Sequence, residues 1–170
     1  MAKGFSTRDV LTPAGVKLLA TVVALKSKPY VKVGVLQESF DKDKKVRDKA
    51  PSLVTLGDVA VWNEYGTDRI PERSFIRSTH DENVSKWRKV TDDLRSAVII
   101  GKHTTEWALK YMGLVIKTAI QKKIRDQIPP PNAESTVARK HSTTPLIDTG
   151  QLINSLNYEV HRKGDDGRTD

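Results

Sequence analysis

Cysteine is absent from this 170-residue chain, which removes disulfides, thiolate metal ligands and cysteine nucleophiles together. No apolar run approaches the roughly 18 residues that a membrane-spanning helix needs. The stretch from Met1 to Asp9 holds no apolar segment that could serve as a secretory signal, so the chain is expected to act in the cytoplasm or in an assembly built there. The ten glycines stand isolated, and no phosphate-cradling loop can be built from their spacing. Gly113 falls inside a helical segment, where it reads as permitting close packing. His80, His103, His141 and His161 are scattered outside any triad or zinc spacing. His103 and Glu106 are three apart, but no second pair completes a metal site. The doublets Asp92-Asp93 and Asp165-Asp166 read as solvated acids rather than acid/base partners. No catalytic residue, cofactor or metal ligand is therefore expected, and the chain reads as a non-enzyme.

Charge is not scarce. Twenty-nine basic residues against 21 acidic ones give a net charge of +8, which permits contact with nucleic acid or acidic partners. Acidic residues are interspersed almost everywhere, so no basic arm forms. Trp87-Arg88-Lys89 combines an aromatic with two cations, yet Trp87 belongs to the apolar stripe of its helix. No RNA-recognition, zinc-finger or helix-turn-helix signature is present. The length suits one domain, over residues 1–162, with a polar tail at 163–170.

Thr12-Pro13 reads as an N-cap followed by proline at the first helical position. Val16, Leu19, Ala20 and Val23 then predict an amphipathic helix to about residue 26, and Lys28-Pro29 ends it. Val31, Val33 and Val35 alternate through a half-buried strand. Residues 41–49 alternate in charge and read as a mobile loop or hairpin tip. Thr55 and Asp58 resemble a capping box for a second helix, with Leu56, Val59 and Ala60 as its stripe and Gly66 as its left-handed stop. Thr79 and Glu82 predict another box, starting a third helix that carries Val84, Trp87, Val90, Leu94 and Val98 to Gly101.

The most regular segment runs from Thr104 to Ile128. Met112, Ile116, Ile120 and Ile124 form one edge, Trp107, Tyr111 and Val115 the next, and Lys110, Lys117, Gln121 and Arg125 the polar face. Pro129-Pro130-Pro131 ends it. Trp87, Trp107, Met112, Ile116 and Ile120 are expected in one core between the third and fourth helices. Residues 129–147 form a polar connection. It gives way to a cap formed by Asp148 and Gln151 and a hydrophobic staple of Ile147 on Leu152, opening a short helix through Leu156. Tyr158 to Val160 reads as a strand.

Three segments in order resemble one family. They are Val59-Ala60-Val61-Trp62-Asn63-Glu64-Tyr65-Gly66-Thr67 with Ile70-Pro71-Glu72-Arg73-Ser74-Phe75-Ile76-Arg77; Pro129 to Thr136 leading to Arg139-Lys140; and Pro145-Leu146-Ile147-Asp148-Thr149-Gly150-Gln151-Leu152 with Ser155. Together they resemble the neck and tail-completion proteins of tailed bacteriophages, over about residues 30–160. Ser74 departs from the pattern, which usually has proline before the phenylalanine, and implies a less rigid loop. The resemblance implies an α+β domain, and with the elements above this means about five helices, one long and central, against a small mixed or antiparallel sheet. It implies no catalytic residues and a homo-oligomeric ring of six or twelve subunits, six preferred, around the DNA channel. Its partners would be portal or head-connector and tail proteins, with passive contact to DNA and none to membrane. Its location would be the virion neck, after the host cytoplasm. The competing reading is a DNA-binding or DNA-packaging accessory protein, favoured by the basic charge.

On the ring reading, the connecting segments are expected to carry assembly. Tyr65, Ile70 and Phe75 would offer apolar contacts, and Arg73, Arg77, Arg139 and Lys140 charged donors to acidic neighbours; the alternative is that Phe75 and Ile76 pack inward and the arginines are simply solvated.

Overall fold

A computed structural model describes residues 13–36, 55–140 and 143–162. Within them the chain forms α1 (Pro13–Lys26), β1 (Tyr30–Val35), α2 (Leu56–Tyr65), α3 (Arg77–Ile99), α4 (Thr105–Arg125), α5 (Glu134–Lys140), α6 (Gln151–Ser155) and β2 (Leu156–His161). The fold is α+β, with six helices and one antiparallel sheet among the described residues. The two strands pair from Tyr30 opposite His161 to Val35 opposite Leu156. The charged stretch 41–49 and the tail 163–170 lie outside the described residues.

The long helix α4 is the spine: the sheet packs on it and α3 runs beside it. Thr104 caps its start, accepting from the Trp107 N–H at 3.1 Å. Its last helical residue is Arg125, three positions short of Ile128, because Gln127 turns to φ 58° ahead of the prolines. The core gathers at the C-terminal half of α4. Ile120, Ile124 and Ile128 meet Ala60, Phe75, Leu146, Leu152, Ile153 and Leu156, while Val33, Val35, Ile76, Ile116 and Ile147 pack against them half-buried. Gln121 is drawn toward this side and donates to the Ile153 carbonyl at 3.1 Å rather than facing solvent.

Local signals were followed at β1 and α2; α1 runs from Pro13 to Lys26, ahead of Lys28-Pro29, and its expected Thr12 cap lies outside the described residues. Thr55 and Asp58 form the full capping box: the Asp58 N–H donates to Thr55 Oγ1 at 3.1 Å and the Thr55 N–H to Asp58 Oδ2 at 2.7 Å.

Four expectations are corrected. Gly66 does take a positive φ of 74°, but with ψ 170°, so the chain leaves α2 extended there instead of closing a left-handed cap. Helix α3 begins at Arg77, and Thr79 and Glu82 do not cap it. Thr79 is buried and bonds the Phe75 carbonyl at 2.5 Å, while Glu82 reaches across to Lys123 on α4 at 2.5 Å. Helix α6 starts at Gln151 after Gly150 in the left-handed region, with no side-chain cap. Asp148 and Gln151 are exposed and form no box; Ile147 packs on the core and Leu152 is buried two residues after the cap, too early for a staple. Pro145 and Leu146 are buried, and the chain enters α6 through two residues at positive φ, Leu146 at 63° and Gly150 at 79°, which puts Gly150 rather than Asp148 at the cap position. Finally, Trp107 is not in the core but 42% exposed, and Trp87 and Met112 are half-buried outside it, because the face of α4 buried at that end is that of Ala108 and Gly113.

Candidate functional site

The segment from Tyr65 to Arg77 is organised by Glu64. This residue closes α2 and is buried, 4% exposed. Its Oε1 accepts from Ser74 Oγ at 2.8 Å and the Arg77 N–H at 2.8 Å, and its Oε2 from the N–H groups of Phe75 at 2.8 Å and Ile76 at 2.9 Å. The first N–H groups of a helix lack intrahelical acceptors and carry its positive dipole end. Glu64 therefore caps α3 from the preceding helix. Burial pushes its carboxyl up, but the N–H groups of Ile76 and Arg77, the Ser74 hydroxyl and the Phe75 N–H outweigh it and hold the carboxyl below its ordinary range. Ser74, at the position where the resembling family has proline, thus ties the loop through its hydroxyl.

The proposed contact residues divide. Phe75 is fully buried in the core and cannot anchor a neighbour. Arg73 is also buried: its Nε donates to the Pro130 carbonyl at 2.8 Å and its Nη2 to that of Pro131 at 3.2 Å, while its backbone N–H meets the Asn63 carbonyl at 2.7 Å. These bonds clamp the proline turn to the 66–73 loop, and the burial lowers the guanidinium's affinity for its proton. Arg77 donates to Glu64 Oε1 through Nε at 3.2 Å, to the Glu64 carbonyl through Nη2 at 2.7 Å and to Glu72 at 2.7 Å. Its guanidinium also sits 4.4 Å from the Tyr65 ring centroid. Tyr65 is exposed and Ile70 half-buried. Arg139 and Lys140 close α5, and their side chains lie outside the described part.

Two surfaces lay outside the sequence reading. At the start of α4 the ring of His103, just before the helix, stacks on Trp107 and Trp107 on Tyr111, at centroid distances of 3.8 and 5.4 Å, with Trp107 and Tyr111 exposed. Ile99 at the end of α3, Ile100 just after it and Leu114 on α4 are exposed as well. The four-residue steps of the rings are visible in the sequence, but periodicity names a face without saying what covers it. On α1, Val16, Leu19, Val22 and Val23 are all about half exposed. A groove of about 890 Å³ separates this helix from α4 and β2, with Ala20, Val23, Leu109 and Val160 among its walls.

Among the described residues no group of three His, Asp or Glu side chains is placed to hold a metal, and no helix is long and apolar enough to cross a membrane. Comparison with family models, curated proteins and solved structures gave no match.

Proposed function

We propose that this chain is a non-enzymatic structural subunit of a phage neck or tail-top ring, joining the head connector to the tail by contacts between copies around the DNA channel. The observation that carries this reading is the pair of unlike apolar faces left open on one chain: Val16, Leu19, Val22 and Val23 on α1, and Trp107, Tyr111 and Leu114 on α4. Large exposed apolar patches on a folded chain mark interaction sites. Unlike faces pair head to tail rather than face to face, and head-to-tail contacts close into rings when the rotation permits. The resemblance supplies the particle. Its three segments also converge in space, since Arg73 clamps Pro130 and Pro131 while Ala60, Phe75, Leu146 and Leu152 share the core.

The test is light scattering of the purified chain across a concentration series, followed by imaging. A discrete ring is expected, and Leu19→Glu or Trp107→Glu should dissociate it without loss of helix content. A chain that stays monomeric throughout, and binds duplex DNA with a steep loss on added salt, would instead support the DNA-binding alternative.

A further inference from the structure

We propose that the groove between the 66–73 loop and the Pro130–Ala133 turn is an acceptor site for an acidic peptide segment, with the buried Arg73 and the exposed Arg69 as its two cations. The groove holds about 680 Å³, and Arg69, Arg73, Asn132 and Thr136 line it among Pro71, Pro130 and Pro131. No carboxylate lines it.

Arg73 is only 7% exposed, yet neither it nor Arg69 forms an ion pair with any described residue. Nε and Nη2 are spent on the proline carbonyls, which leaves Nη1 without an acceptor. No fully buried side-chain nitrogen or oxygen among the described residues lacks a partner, so Nη1, which has none, is not sealed from solvent. Asp148 borders Arg73 through a smaller cavity of about 250 Å³ but lies beyond ion-pair distance. Carbonyl dipoles compensate a buried cation only in part, whereas a carboxylate answers it with a charge-assisted bond matched to the guanidinium plane. Pro71, Pro130 and Pro131 have no N–H and offer apolar rings, so the charge in the groove comes from Arg69 and Arg73. An extended segment carrying Asp or Glu fits that chemistry. A duplex fits it less well, because its phosphates stand on a broad rod and meet exposed cations rather than a recessed one.

This inference deepens the assembly reading and rests on it only for the source of the segment, a neighbouring protein in the particle. The test titrates the full chain into fluorescently labelled hexaglutamate at low ionic strength, with a neutral glycine–serine peptide and single-stranded oligothymidylate in parallel. Saturable binding of hexaglutamate alone is expected. Arg69→Gln should weaken it roughly fivefold, as expected for losing one charge-assisted contact. Arg88→Gln removes the same charge from the exposed side of α3, outside the groove, and should leave binding unchanged. Asn132→Asp, which places a carboxylate in the groove, should also weaken it. Absence of saturable binding, equal weakening by the two arginine variants, or oligothymidylate binding that is the arm sensitive to Arg69→Gln would each overturn the proposal. All are read on binding, so a failure here is distinct from a failure to form a ring.

Discussion

Gly113 of α4 lies directly beneath the Tyr158 ring of β2: a methyl group added at Gly113 would come within 2.5 Å of Cδ2 and 2.7 Å of Cγ. The sheet can seat on the spine only because this position has no side chain. Alanine would gain about 1 kcal/mol of helix propensity, but overpacking costs about 1–3 kcal/mol. The atoms met are near the root of the tyrosine, so the ring cannot swing clear cheaply. Gly113→Ala should therefore be destabilising by up to about 2 kcal/mol in denaturant unfolding.

Glu64→Ala should be the most damaging polar substitution, because it strands the Ser74 hydroxyl and three backbone N–H groups at the start of α3. A loss of roughly 3–4 kcal/mol is expected in chemical denaturation.

Acid should act through the same carboxylate. Its folded-state affinity for protons is below the ordinary value of 4.5, so the unfolded chain binds the proton more readily. The stability it contributes is complete above that value and is lost as pH falls through the lower folded value. Glu64→Gln should flatten this acid-side slope, and an identical slope in the two proteins would show that other groups dominate.

Thr55→Ala and Asp148→Ala separate a formed cap from an apparent one. Thr55 Oγ1 accepts from the Asp58 N–H and donates to Asp58 Oδ2, and alanine removes both bonds, so its loss should cost about 1 kcal/mol. Asp148 is exposed and caps nothing, so its change should stay within about 0.5 kcal/mol.

Ile120→Ala should cost about 2–5 kcal/mol, because the side chain is enclosed at the centre of the core. Trp107→Ser, two-fifths exposed, should cost the isolated chain much less and instead reduce association. The reverse order in thermal melts would return Trp107 to the core.

Sequence alone determined those features whose partners lie within a few residues. Pro13 and the Lys28-Pro29 stop delimit α1, Thr55 and Asp58 start α2, three prolines follow α4, and the alternating valines form β1. Each depends on backbone sterics or a bond across about one helical turn, which short-range patterns report. Tertiary structure decided the rest. Glu64 caps a helix 13 residues away, and Arg73 finds its acceptors 57 and 58 residues away. Nothing in local spacing distinguishes those side chains from solvated ones. The apolar edge of α4 divides for the same reason: Trp107 and Ile120 look alike in periodicity, and only the placement of α2, α6 and β2 over one end encloses Ile120 and leaves Trp107 open. Burial is a property of what arrives from elsewhere in the chain, and a helix pattern carries no record of it.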